Sequence, residues 1–144
     1  MKTIELKELK QMTGAAFRLP VLDANGDPIQ TMTSIPDGKG GTAEIPSGKL
    51  KTTDVTGLVP LLETFVLRGV KGEKLADVVM VNQVYVACLR AKADPNIKAL
   101  ELDDDVYTWL AVKLKDDKCG VAFFGYNMPV IYQAVTGEMP KLDK

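Results

Sequence analysis

Residues 75–93 read LADVVMVNQVYVACLRAKA, and whether this stretch is strand or helix decides the fold. The valines at 78, 79, 81, 84 and 86 suit a strand, because a β-branched side chain packs well on a pleated surface. The run contains no glycine or proline, however, and strands seldom exceed about 10 residues. Its uninterrupted length therefore favours a helix. The polar residues Asp77, Asn82, Gln83, Arg90 and Lys92 do not gather on one side at 3.6-residue spacing. That spacing predicts a helix surrounded by other elements, the most enclosed of the molecule. Asp94-Pro95 ends it.

Further helices are expected on either side. Residues 58–68 place Leu58, Leu61, Leu62, Phe65 and Val66 on one face, with Thr56 positioned to cap, Pro60 in the first turn and Gly69 as a stop. After Leu100-Glu-Leu-Asp103, residues 104–115 form the next candidate. Asp103 is placed to cap it, Asp104 and Asp105 suit the positive end of its dipole, and Lys113 and Lys115 suit the other end. Residues 129–135 make a last helix, entered from Asn127 and closed by Gly137.

Before Thr53 the chain is polar and broken by glycine and proline. Residues 2–12 carry Ile4, Leu6 and Leu9 in a pattern that reads equally as a short strand or a short helix. Residues 17–22 and 29–32 flank Asp23-Ala-Asn25-Gly-Asp27, and Asn25-Gly26 is a strong hairpin signal. Pro20 and Pro28 belong on edges, where no ladder donor is missed. A two-stranded ribbon is marginal alone, so the helices are its natural support. Residues 36–53 offer little to bury and read as a long mobile loop or a second ribbon. The expected fold is α+β, one domain over residues 1–144. It has an N-terminal β-hairpin or ribbon arm (1–53) packed on a C-terminal bundle of about four helices (54–137), followed by a tail (138–144).

Composition narrows the function classes. The chain has 144 residues, 46% of them apolar and 26% charged, and a net charge of −1, which gives phosphates no global attraction. It has no histidine, which removes most zinc sites and most catalytic triads. Cys88 and Cys119 are too few and too far apart in sequence for a disulfide framework or a zinc site, and read as reduced thiols. No run approaches the ~20 apolar residues of a membrane span. Residues 1–6 alternate charged and apolar residues unlike a signal peptide, so the expected place of action is the cytoplasm or a larger assembly formed there.

Each motif that suggests chemistry has a plainer reading. Asp103-Asp104-Asp105 could hold a divalent cation, but three consecutive acids diverge around a helix start and read as cap and dipole complement. Asp23, Asn25 and Asp27 imitate half of a calcium loop, yet Pro28 stands where a glycine is needed and Ser34 where a glutamate is needed. Gly48-Lys49 suggests a phosphate loop, but Ala43 and Leu50 occupy its first glycine and its hydroxyl position. Cys119, beside Lys118, has no base near it in sequence and reads as structural. Phe123, Phe124, Tyr126 and Tyr132 either line a partner groove or seal the core. No cofactor is expected.

The order of Leu22-Asp-Ala-Asn-Gly-Asp-Pro-Ile29, residues 58–69, residues 74–93, Leu100-Glu-Leu-Asp-Asp-Asp-Val-Tyr107 and residues 128–135 resembles small accessory and assembly proteins of tailed bacteriophages and prophages. Residues 36–53 stand as an insertion relative to that pattern. The resemblance covers about two-thirds of the chain and carries over no functional residue. It implies a non-catalytic factor in virion head or tail assembly, in the host cytoplasm or in the virion itself. The expected partner is another protein, a phage structural protein or a host protein, and the chain itself is a candidate homo-oligomer. An inhibitor of a host enzyme or defence complex is the alternative. The residues expected to meet the partner are Asn25, Asp27, Lys39, Lys49 and Lys51 in the arm and Phe123, Phe124 and Tyr126 near the C-terminus. Two other classes remain: a nucleic-acid regulator using Lys39, Lys49 and Lys51, and a metal-dependent enzyme using Asp103, Asp104 and Asp105.

Overall fold

Pairing settles whether residues 2–12 are strand or helix. In the computed structural model, which describes residues 1–25, 27–70 and 74–141, strand β1 (Lys2–Glu5) runs antiparallel to a strand near residue 100. Ile4 lies opposite Leu100 and is fully buried, while its neighbours in the strand face outward. Residues 1–17 therefore belong with the helices, and the chain divides into a unit of Met1–Phe17 with Val55–Lys144 and a unit of Arg18–Asp54. The fold class is α+β, as the sequence predicts, but the arm begins after Phe17 and not at the N-terminus.

The first unit is built on helix spacing. Helix α1 (Leu58–Thr64) continues as one π-helical turn over Phe65–Gly69, so the helical segment stops at Gly69 as expected. Leu58, Leu61, Leu62, Phe65 and Val66 are all buried. Gly57 occupies the N-cap position, one residue after Thr56, and makes no side-chain capping bond. Gly69 is needed for close approach, because a Cβ there would lie 2.7 Å from a Phe65 ring carbon and 3.1 Å from the Phe123 ring.

Helix α2 (Leu75–Ala93) has the predicted bounds but not the predicted surroundings. Its only buried residues are Val84 and Cys88, whereas Leu75, Val78, Val79 and Leu89 are 79%, 51%, 45% and 42% exposed. A helix that is apolar all round says nothing about how many neighbours it has. Among the described residues the unit buries α2 fully only at Val84 and Cys88, half-buries Val81 and Val86, and leaves Leu75, Val78, Val79 and Leu89 in solvent.

The chain then forms β6 (Ala99–Leu102), the partner of β1, and helix α3 (Asp104–Lys115). Val106, Leu110 and Leu114, each four residues on, are buried. Asp103 stands at the N-cap but its carboxylate makes no capping bond. Helix α4 (Gly120–Phe124), a 3-10 turn (Gly125–Asn127) and helix α5 (Met128–Thr136) complete the unit, and Gly137 closes α5 with a left-handed φ of 76°. Of the predicted tail, residues 142–144 lie outside the described residues.

In the second unit the predicted hairpin is repartnered. Strand β2 (Phe17–Pro20) pairs with β5 (Thr52–Val55), and β3 (Gln30–Pro36) pairs antiparallel with β4 (Thr42–Leu50). The turn after Leu22 does form: the Asp23 N–H donates to the Asp27 carbonyl at 2.8 Å, and Leu22 bridges Pro28. Gly26, half of the expected Asn25-Gly26 signal, lies outside the described residues. The flanking segments do not zip together, because Pro20 and Pro28 lack the donors a ladder would use. Most of residues 36–53, open between loop and second ribbon, is strand.

Candidate docking ribbon

Two aspartates shape the arm. The Asp23 carboxylate accepts hydrogen bonds from the Asn25 and Asp27 amides at 2.8 and 3.1 Å. The Asp37 carboxylate accepts from the Lys39 and Gly41 amides at 2.7 and 3.2 Å, and the Asp37 amide donates to the Gly41 carbonyl at 3.2 Å. Each is a local side-chain-to-backbone turn of the kind aspartate favours. Gly38 and Gly40 supply the left-handed φ values, 81° and 85°, that the second turn requires. The β3–β4 ribbon thus reverses at residues 37–41.

Three backbone groups close the base of this ribbon. The Val21 amide donates to the Lys51 carbonyl (2.9 Å), the Lys51 amide to Ile29 (2.7 Å), and the Ile29 amide to Val21 (2.9 Å). The ring ties three separate segments without any side chain. Just beyond it the register shifts: Gln30 lies opposite Leu50, but Met32 lies opposite Pro46. The extra residues of β4 form a bulge in which Gly48 takes φ 81° and its amide meets the Gln30 side chain at 3.2 Å. Thr31 and Ser47 bond side chain to side chain across it. Gly48-Lys49, which resembles the end of a phosphate loop in sequence, is this bulge.

The ribbon has no covered face. Apart from Thr31 and Ser47 its residues are all exposed, and β3 and β4 each have a single strand neighbour among the described residues. Thr33 opposite Ile45 and Ile35 opposite Ala43 share one face, and Met32 opposite Pro46 lies on the other. Met32, Ile35, Ile45 and Leu50 are 54%, 39%, 39% and 51% exposed. Arg18–Asp54 holds four basic and five acidic residues, so its recognition chemistry is apolar and backbone-based, not a phosphate field. Arg18 is itself paired with Asp54 at 3.3 Å.

The eight residues predicted to meet a partner fall into two groups. Asn25 and Asp27 sit on the first turn, Lys39 on the second, Lys49 at the bulge and Lys51 in the backbone ring, all exposed. Phe123, Phe124 and Tyr126 belong to the helical unit. Phe124 is buried, 5.4 Å from Phe65 and 4.9 Å from Phe123 between ring centroids, so it seals the core; Phe123 is half-buried and Tyr126 exposed. Sequence reasoning missed Met32, Ile35, Ile45 and Leu50. A readable signal was present: β-branched and apolar residues on both sides of Asp37-Gly38.

The helical unit offers less chemistry. Asp77 accepts from the Trp109 indole at 2.9 Å, and Lys113 lies 3.6 Å away; that bond first, and then the two lysines Lys113 and Lys74, hold its carboxyl below the usual range. Burial pushes the Cys88 thiol up to about 12, which keeps it protonated and inert. Cys119 is buried beside a cleft of about 240 Å³ lined also by Arg68 and Lys118, with no carboxylate in its wall. A cleft of about 460 Å³ between α2 and β6 is lined by Arg90, Lys98 and Glu101 among small and apolar residues. No group of three or more Cys, Asp or Glu among the described residues could hold a metal ion, and no described helix is long and apolar enough to cross a membrane. Comparison of the chain with family models, with curated proteins and with solved structures gave no match in any of the three.

Proposed function

We propose that this chain is a non-catalytic protein-binding module that docks through its β3–β4 ribbon, and that it serves as an accessory factor in the assembly of a phage virion. One observation carries the docking part: a two-stranded ribbon with no further strand on either edge and no covered face among the described residues, four large apolar side chains exposed on it, and a base tied by backbone hydrogen bonds. Isolated two-stranded ribbons are marginal in water, and open edges are templates for another chain. A partner that adds a strand or covers an apolar face removes both liabilities at once. The virion part rests on the order of segments alone. The near-balanced charge of the arm favours protein over nucleic acid as the target.

The test is capture of purified phage head and tail proteins, and of host enzymes as the competing source, by the full chain, with cross-links located by mass spectrometry. Contacts should fall at residues 30–50, and Ile35→Lys with Ile45→Lys should abolish capture while leaving the circular dichroism spectrum unchanged. Cross-links confined to the helical unit, or capture that survives both substitutions, would remove the ribbon as the docking element. Capture of a host enzyme alone would favour inhibition over assembly.

A further inference from the structure

Strand β6 has one edge without a partner. The Leu6 amide donates to the Lys98 carbonyl at 3.0 Å, and the register continues with Glu5 opposite Ala99, Ile4 opposite Leu100, Thr3 opposite Glu101 and Lys2 opposite Leu102. Antiparallel pairs alternate between those that exchange backbone bonds and those that do not. Leu100 and Leu102 therefore bond to β1, while Ala99 and Glu101 turn their N–H and C=O groups to the far edge. No strand lies there among the described residues, and neither backbone bonds to any other described segment.

The cleft of about 460 Å³ occupies that edge. Ala87 and Arg90 of α2 form one wall and residues 97–101 the other, and no described residue of β1 lines it. A second cleft of about 280 Å³ shares Ala87, Arg90 and Glu101 and continues past Asn82 to Asp103. Together they make a trough along the whole of β6, four residues and about 14 Å long. Its charges are ordered along the strand, Lys98 at one end, Asp103 at the other, and Arg90 and Glu101 between them on facing walls. Arg90, Glu101 and Asp103 make no side-chain hydrogen bond or ion pair among the described residues, and the Lys98 ammonium reaches only the Pro95 carbonyl, at 3.3 Å.

We propose that this trough binds an extended peptide segment of another protein, which joins β6 as a third, antiparallel strand. Strand addition needs the alternating free backbone pairs that Ala99 and Glu101 present. A single extended chain suits a trough between one helix and one strand, whereas a second folded copy would bring its own α2 into the same space. An antiparallel segment enters beside Asp103 and leaves beside Lys98. The charge order therefore selects a basic residue at its N-terminal end and a carboxylate at its C-terminal end, where the Arg90 guanidinium can receive it through two parallel bonds. The site belongs to the helical unit and does not depend on the docking ribbon.

Selection of an mRNA-displayed library of random hexapeptides on the full chain tests it. Enriched peptides should be basic at the start, acidic at the end and β-branched at alternate positions between. On binding, the Ala99 and Glu101 amides should shift in NMR spectra and exchange more slowly. Methylation of the peptide nitrogen that faces Glu101 should abolish binding, and methylation of the next nitrogen should not. Arg90→Glu should raise the dissociation constant by about tenfold or more with an unchanged circular dichroism spectrum, since Arg90 is exposed. Ala99→Pro removes an outward N–H and none of the bonds to β1, so it should abolish binding too. Four results would each overturn the proposal: no enriched peptide, binding that leaves the Ala99 and Glu101 amides unmoved, binding indifferent to Arg90→Glu, or succinate bound as tightly as any peptide. Peptide binding lost in Ile35→Lys and kept in Arg90→Glu would move the site to the ribbon.

Discussion

Asn127 shows what one side chain contributes beyond its position in the sequence. It stands at the N-cap of α5 as predicted, yet it makes no capping bond. Its oxygen accepts from the Met12 amide at 2.8 Å and its nitrogen donates to the Gln11 side chain at 3.2 Å, so a nearly buried carboxamide holds a segment 115 residues away. Asn127→Leu should cost about 1–3 kcal/mol in chemical denaturation, the usual penalty for a stranded donor. Asn127→Asp, which keeps the acceptor, should cost less. Gly120 is constrained differently: a Cβ there would overlap the Leu114 carbonyl, so Gly120→Ala should lower the melting temperature by several degrees, with a backbone shift between α3 and α4. Asp77 adds an acid-sensitive contribution to stability. Its folded carboxyl binds protons less readily than the ordinary value of 3.8, so its contribution is complete above that value and is lost as pH falls through the lower folded one. Stability measured from pH 5 to pH 2 should therefore fall less steeply in Asp77→Asn than in the native chain. None of these three roles was legible in the sequence: those of Asn127 and Asp77 depend on atoms distant along the chain, and that of Gly120 on how the chain turns back onto Leu114.

At the scale of elements, helices were easier to read than strands. Apolar spacing marked the extent and the buried face of α1, while caps, end charges and stop residues marked the extents of α3 and α5, since a helix carries its own hydrogen bonds and needs the core only for one stripe. The strands had no such self-sufficiency. A hairpin signal identified the turn at Asp23–Asp27 but not the partners of the segments beside it, which are chosen by segments later in the chain. The β3–β4 ribbon also hid behind glycines that form its turn and its bulge. Gly48 is the sensitive point: at φ 81°, Gly48→Val should strain the bulge and increase amide exchange across β3 and β4 while leaving exchange in α1 and α3 unaltered. Helix α2 lies between the two cases. Its extent was legible and its enclosure was not, for an evenly apolar helix gives no sign of which face is left over.

For the whole molecule, the division into two units makes a direct prediction. Replacing residues 21–51 by a short turn that joins β2 to β5 should leave a chain that unfolds cooperatively with a melting temperature within a few degrees of the native value, and that no longer captures the ribbon's partner. Loss of the cooperative transition in calorimetry would show that the helical unit depends on the arm. The sequence by itself determined the α+β class, the extents of the main helices, the lack of histidine chemistry and the turn at Asp23–Asp27, because all of these follow from composition and from interactions within about four residues. Only the tertiary structure decided that β1 belongs with the helices, that Thr42–Leu50 and Thr52–Val55 are strands, and that Leu75, Val78, Val79 and Leu89 of α2 stay exposed. Strand pairing and burial are relations between distant segments, and the free energy that selects among them comes from surfaces that exist only once the chain has folded.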